Sequence, residues 1–254
     1  MRARKRFGQH FLNDAAVLQQ ISAAVNLKPD QRLLEIGPGR GSLTAELRGQ
    51  SGRYLAVEID RDLVPKLEAR FPDIELVNAD ILKVRLSELL SEGGWRIVGN
   101  LPYNISTPLL VRLFAHTELV RDMHFMLQRE VALRLAAVPG TKAWGRLTVL
   151  TQYHCEVQAL FGVAPTSFTP PPKVFSELVR LLPRREKLAL TDSRRLDLVL
   201  RHAFSGRRKR IANALKSLEL AWDCLDIDAG ARADQLSVSE FVLLANAVPE
   251  EIDH

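Results

Sequence analysis

An α/β fold with a mainly parallel sheet, followed by a small helical domain, is predicted from three features of the 254-residue sequence. Short apolar runs alternate with helical periodicities over residues 15–137, and repeated strand–helix units give parallel sheets covered on both faces. The first apolar run ends in a cluster of glycines that leads straight into a helical pattern. Beyond residue 187 only helical patterns remain.

The elements follow in order. The first helix spans 15–25, where Val17, Leu18, Ile21 and Val25 recur at helical spacing and Asn13 or Asp14 stands in place to cap it. A strand over 32–36 runs into Gly37-Pro38-Gly39-Arg40-Gly41, and a helix follows over 42–49. The alternation continues with strand 54–59, helix 62–71, strand 74–78, a short helix 86–90, strand 95–99, helix 108–115, strand 122–126 and helix 129–137. Strands are then expected at 157–163 and 176–182, joined through a proline-rich loop and forming an antiparallel pair at one sheet edge. Residues 183–187 read as a linker, and helices follow over 194–203, 207–215 and 238–247. The expected division is an α/β domain over 1–184 and a helical domain over 185–254.

The composition, 46% apolar and 26% charged, is that of a chain able to bury a core. No apolar run is long enough to cross a bilayer, and the basic start lacks the apolar segment of a secretion signal. A cytoplasmic protein without membrane contact is therefore expected. Cys155 and Cys224 lie far apart, match no metal spacing and are read as free thiols; no metal site is expected. The net charge of +5 is unevenly spread. Arg2, Arg4, Lys5 and Arg6 crowd the start, Asp197 is the only acid between Arg194 and Lys216, and Glu250, Glu251 and Asp253 make the tail acidic. Clustered positive charge favours a polyanionic partner, with a solvated helix face as the plain alternative. Arg207, Arg208, Lys209 and Arg210 sit at the predicted start of a helix whose Ile211, Ala214, Leu215 and Leu218 share one face. Cations there oppose the helix dipole, so local stability does not account for them, whereas phosphate contact does.

The glycine loop is the first functional signal. Gly37 and its neighbours permit a tight turn and close backbone approach to a ligand. The G-x-G-x-G spacing departs from the dinucleotide pattern, and no phosphate-gripping lysine follows. Glu58 ends the second strand, where a carboxylate can accept from both hydroxyls of a ribose, and Asp80 follows the third, where it can accept from an adenine amine. Each acid can instead cap the next segment, with Asp60 and Asp62 competing near Glu58. A loop and two strand-end acids at successive positions favour a nucleoside site, because open α/β sheets bind ligands at the carboxyl ends of their strands.

Asn100-Leu101-Pro102-Tyr103 directly follows the fourth strand. An adenine amine is a poor nucleophile because its lone pair is delocalised into the ring. Two acceptors aimed at its hydrogens stabilise positive charge as it develops, and the side-chain carbonyl of Asn100 and the backbone carbonyl of Leu101 suit that task. Pro102 stiffens the turn, and Tyr103 offers a ring to stack on a base. A strand-end turn with a buried tyrosine is the alternative.

Phe7-Gly-Gln-His-Phe-Leu12, Glu35-Ile-Gly-Pro-Gly39, Asn100-Leu-Pro-Tyr-Asn-Ile-Ser106 and Phe168-Thr-Pro-Pro-Pro-Lys-Val174 occur in that order. Together they resemble the ribosomal RNA adenine N6-dimethyltransferases, with Phe168-Thr-Pro-Pro-Pro nearer the small-subunit branch. The resemblance implies a Rossmann-like class I methyltransferase fold and S-adenosylmethionine as cofactor. It implies that His10 and Leu12 border the cofactor, with Gly37, Glu58, Asp80 and Asn100 completing its pocket. His10 stands where the family often has asparagine. Phe168 is implied to face Tyr103 across the target base. The implied substrate is a pair of adjacent adenines of 16S RNA in the small ribosomal subunit or its precursor. A DNA adenine methyltransferase and a non-catalytic RNA-binding factor are the competing readings; the family motifs argue against the first, and intact Glu58, Asp80, Asn100 and Tyr103 against the second.

Overall fold

The computed structural model describes residues 10–102, 105–206 and 208–249 and divides into two compact units. The first comprises Met1–Ala132 and Glu156–Pro183, the second Leu133–Cys155 and Arg184–His254. A break therefore falls after Pro183, but residues 133–155 join the second unit rather than the first.

The strands are β1 (Phe11–Leu12), β2 (Arg32–Ile36), β3 (Arg53–Glu58), β4 (Glu75–Asn78), β5 (Trp95–Asn100), β6 (Val120–Gln128), β7 (Cys155–Val163), β8 (Phe168–Thr169) and β9 (Ser176–Pro183). Seven of them form one sheet in the order β4-β3-β2-β5-β6-β9-β7. The pairs from β4 through β6 are parallel, and β9 runs antiparallel to β6. The sheet is the mixed, mostly parallel one of the Rossmann-like α/β class. Leu33, Leu34 and Ile36 on β2 and Ile97 and Val98 on β5 are buried, as expected for central strands covered on both faces. The late strands β7 and β9 are neighbours at one edge, with β7 outermost. A second, two-stranded antiparallel ladder, which no alternation in the sequence announced, joins β1 to β8 with Leu12 opposite Phe168.

The helices of this unit are α1 (Ala15–Val25), α2 (Ser42–Leu47), α3 (Val64–Arg70), α4 (Leu86–Leu89), α5 (Ser106–Phe114) and α6 (Arg129–Leu135), the last running into the second unit. Of the two candidate caps for α1, Asp14 takes the role: its Oδ1 accepts from the N–H groups of Ala16 and Val17 at 3.0 and 3.3 Å. Asn13 instead donates through Nδ2 to Thr169 Oγ1 at 2.8 Å. Helix α5 starts two residues before the expected 108, since Pro108 sits in a first turn whose N–H groups have no intrahelical partner anyway.

Because β2 is flanked by β3 on one side and β5 on the other, strand order reverses between β2 and β5. The carboxyl ends of those strands open the crevice typical of such switch points. At the opposite end of the sheet Asp122, 1% exposed, receives two hydrogen bonds from Arg96 at 2.8 and 2.7 Å and one from Arg180 at 3.1 Å. Burial alone would raise the Asp122 carboxyl; the Arg96 hydrogen bonds and the charges of His124, Arg96 and Arg180 outweigh it and hold it below the usual range. Burial pushes the adjacent His124 down to about 4, against the attraction of Asp122.

The second unit holds α7 (Arg146–His154), α8 (Ser193–Ala203), α9 (Ile211–Ala214) and α10 (Val238–Asn246). Helix α8 buries Leu196, Val199, Leu200 and Ala203, and α10 buries Phe241, Leu244 and Ala245. Ser237 and Glu240 form a reciprocal capping box at the start of α10. Helix α7 escapes sequence reading because Thr148, Val149 and Thr151 are β-branched and its apolar pattern has little helical period. The expected helix 207–215 is corrected to four residues. The Ile211 N–H donates to Ala231 O at 2.7 Å, and Arg210 forms an antiparallel bridge with Arg232, so the backbone enters extended. Arg208, Lys209 and Arg210 therefore precede α9 instead of forming its first turn, and all are exposed. Arg207 lies outside the described residues. Cys155 and Cys224 are free thiols. No helix among the described residues is long and apolar enough to cross a membrane.

Candidate active site

A cavity of about 300 Å³ opens at the carboxyl ends of β2, β3, β4 and β5. Its wall is formed in part by His10, Leu12, Gly37, Glu58, Asp80 and Asn100, residues spread over 91 positions of sequence from 10 to 100.

The loop after β2 turns through Gly37, Gly39 and Gly41, whose φ angles of +69°, +60° and +75° lie in the left-handed region. At Gly41 a Cβ would also come within 2.4 Å of the Phe71 ring. The loop is fastened to β3. The Gly39 N–H donates to Glu58 Oε2 at 2.9 Å, while the Asp60 N–H donates to Oε1 at 2.8 Å. Burial raises the Glu58 carboxyl, against the pull of these two N–H groups. Glu58 is 3% exposed, yet a carboxylate has about four acceptor positions, so capacity remains for a ligand. Asp80 also caps locally, accepting from the Leu82 N–H at 2.9 Å. The capping and lining roles of these acids thus coexist.

Asn100 ends β5. Its Nδ2 donates to the backbone carbonyl of His10 at 2.8 Å, which fixes the amide so that the side-chain carbonyl is its remaining polar atom. His10 is held in turn by Nδ1 against Pro170 O at 2.7 Å; a carbonyl only accepts, so Nδ1 carries the proton. Leu101 and Pro102 continue the same wall. Tyr103 lies outside the described residues. The structure does not bring Phe168 to the cavity: its ring is 3% exposed and packs with Leu12, Val163 and Leu178 in the core. Its visible task is to pair with Leu12 in the ladder that sets His10 at the rim.

Sequence reasoning passed over two kinds of lining residue. Ile59 is 45% exposed although apolar, and with Ile81 it gives the cavity flat apolar walls. Its position between two acids hid it inside a strand pattern. Glu35 is buried beneath the loop, where Oε2 accepts from Thr44 Oγ1 at 2.6 Å and from Tyr54 OH at 2.7 Å. Burial pushes its carboxyl up to about 7, against those two hydrogen bonds. Its signals were a charged residue in an apolar run and its place at the head of the Glu35-Ile-Gly-Pro-Gly39 motif, neither of which says that it is buried. No group of three or more His, Cys, Asp or Glu side chains suited to a metal gathers among the described residues.

Several proteins to which the chain is similar carry RNA-directed names. The chain is 48% identical over 256 residues to the ribosomal RNA small subunit methyltransferase A of Pseudomonas aeruginosa, covering 98% of this chain and 96% of that protein. It is 49% identical to the protein of the same name from Hahella chejuensis, covering 97% and 93%. Among solved structures, a dimethyladenosine transferase from Plasmodium falciparum superposes with a TM-score of 0.79 at 27% identity, covering 92% of this chain and 96% of that one. The 23S rRNA methyltransferase ErmE gives 0.71 at 28% identity, covering 94% and 99%. The family model described as ribosomal RNA adenine dimethylase matches residues 1–249. With its glycine loop, its strand-end acids and its Asn100 turn on one crevice, the chain belongs to the ribosomal RNA adenine dimethylase family of methyltransferases.

Proposed function

We propose that this protein transfers methyl groups from S-adenosylmethionine to N6 of two adjacent adenines of 16S ribosomal RNA within the small subunit or its precursor. The observation that carries this reading is that one crevice wall holds both a nucleoside-binding set and the acceptor turn at Asn100. The glycine loop leaves room for close approach, Ile59 and Ile81 offer apolar faces to an adenine ring, and Glu58 and Asp80 offer acceptors to its ribose and amine. His10 and Leu12 border the same space. When bound, the cofactor supplies an electrophilic sulfonium methyl group. The chain's own work is to orient the target amine, exclude water and stabilise developing charge. The Asn100 side-chain carbonyl and the Leu101 backbone carbonyl accept from the amine hydrogens, and Pro102 keeps them in register. A paired base cannot reach this turn, so the adenine is splayed out and stacked on Tyr103. Phe168 enters through the β1–β8 ladder.

Radiolabelled methyl transfer onto immature small subunits, naked ribosomal RNA and duplex DNA, run in parallel, tests the reading. Label in dimethyladenosine of the small-subunit RNA is expected. Label only in duplex DNA, or cofactor binding with no transfer to any of the three, overturns it in favour of a DNA enzyme or a non-catalytic factor.

Glu58→Ala is expected to weaken cofactor binding by about 1.5–3 kcal/mol, the worth of hydrogen bonds to a charged group. Calorimetry on a folded mutant checks this, and unchanged affinity removes Glu58 from the cofactor site. In the second unit, Arg207, Arg208, Lys209 and Arg210 are assigned to phosphate contact away from the target adenine. Exchanging Arg207, Arg208 and Arg210 for glutamate is expected to weaken small-subunit binding and flatten its salt dependence, since each lost phosphate contact lowers the slope by about one. Cofactor affinity should barely change. Wild-type affinity and salt slope in the triple mutant would mean the cluster is only solvated.

A further inference from the structure

Where the polypeptide returns to the sheet before β9, two consecutive apolar residues are exposed. Val174 is 44% and Phe175 52% exposed. Single exposed apolar residues are ordinary, but an exposed aromatic ring at the end of the sheet that holds the crevice is placed to meet a substrate. Three observations narrow what that substrate is.

The Phe175 backbone is held by the sheet. The Arg129 N–H donates to the Phe175 carbonyl at 3.0 Å, extending the β6–β9 ladder by a step beyond the pairing of Gln128 with Ser176. Ser176 is buried, and the alternation of side chains along a strand turns Phe175 outward. The pair also stands at the same end of the sheet as the crevice. Asn100 lies opposite Met126 on β6, and Met126 opposite Leu178 on β9. Two strand spacings, roughly 10 Å, thus separate β5 from β9. The loop bearing the pair also holds Pro170, which accepts from His10 at the rim. Finally, two exposed cations neighbour Phe175 in the fold: Lys173 stands two residues before it, and Arg129, whose backbone N–H bonds the Phe175 carbonyl, keeps 61% of its side chain exposed while pairing with Glu177 at 3.8 Å. An exposed aromatic ring with cations on neighbouring residues is a combination that binds single-stranded nucleic acid, the ring stacking on a base and the cations meeting phosphates.

We infer that Phe175, with Val174, Lys173 and Arg129 as neighbours, is a stacking platform for an unpaired RNA nucleotide next to the target adenine. This rests on the methyltransferase reading above. It adds a second aromatic contact outside the reactive crevice, one that holds the strand bearing the adenine while the crevice receives the base. Phe175 touches neither cofactor nor reacting amine, so it acts on substrate binding and not on the chemical step.

The test uses the full-length protein and steady-state methyl transfer to immature small subunits and to protein-free small-subunit RNA. Phe175→Ala is expected to raise KM about tenfold on both substrates, the scale of one lost base–aromatic stack. The kcat and the cofactor affinity by calorimetry should stay within twofold. Phe175→Trp should restore KM, and its emission should be quenched by single-stranded oligoadenylate more than by duplex RNA. Circular dichroism melting identifies a folding defect, and in that event Phe175→Leu, which keeps the bulk without the ring, gives the KM comparison. A KM within twofold of wild type in the ring-less variant overturns the platform. A KM that rises on subunits but not on protein-free RNA overturns it in favour of a ribosomal protein as the partner. If wild-type protein methylates neither substrate, the proposed function itself fails, and that outcome is separate from the other two.

Discussion

Asn100→Ala is expected to cut the single-turnover rate of methyl transfer about a hundredfold or more, the scale of losing one contact aimed at developing charge. The reason is local. The Asn100 amide is pinned by its own Nδ2 to the His10 carbonyl at 2.8 Å, so its oxygen is held in place before substrate arrives. An acceptor already in position costs no reorganisation during the reaction. Alanine removes the acceptor and also the hydrogen bond to the His10 carbonyl, so a modest loss of cofactor affinity should accompany the rate effect. Single-turnover measurement at saturating cofactor separates the two. A rate within about threefold of wild type means that Asn100 does not act on the amine.

The second large effect is on stability. Asp122→Ala is expected to destabilise the protein by about 3–5 kcal/mol, because it strands Arg96 as an uncompensated charge inside the sheet. Arg96 keeps only the Asn26 carbonyl and Gln31 Oε1 at 3.1 and 3.0 Å, neither of which carries a charge. The double variant Arg96→Leu with Asp122→Leu should recover most of that loss, since apolar residues of similar volume often replace a buried ion pair without cost. Urea unfolding measures both. A loss below about 1 kcal/mol for Asp122→Ala would show that the charge is relieved by solvent. Acid should act on the same cluster. Unfolded chains protonate histidine near pH 6.5, whereas folded His124 resists until about 4, so its contribution is complete above 6.5 and is lost as pH falls through that window.

How much of this was legible beforehand differs by element. The central strands and the glycine loop could be read because their signals are local: an unbroken apolar run at 32–36, glycines where φ turns positive, acids at strand ends. The same holds for Glu58, Asp80 and Asn100, whose positions after successive strands bring them to one edge in any parallel sheet. Helix α7 was not legible, because β-branched residues weaken its pattern and its place in the second unit is set by packing with α8 and α10. Nor was the shortening of α9, which a bridge between Arg210 and Arg232 decides from 22 residues away. The ladder of β1 and β8 is the clearest case. It joins Leu12 to Phe168, buries the ring that the motif suggested for the base, and sets His10 where Asn100 can bond to its carbonyl. The sequence by itself determined the α/β layering, the loop and the residue types of the crevice, since these follow from periodicity and backbone freedom near each residue. Only the tertiary structure decided which aromatic rings stay exposed, how the Asn100 amide is turned and which segment joins which unit, because burial and hydrogen-bond partners come from chain segments distant in sequence.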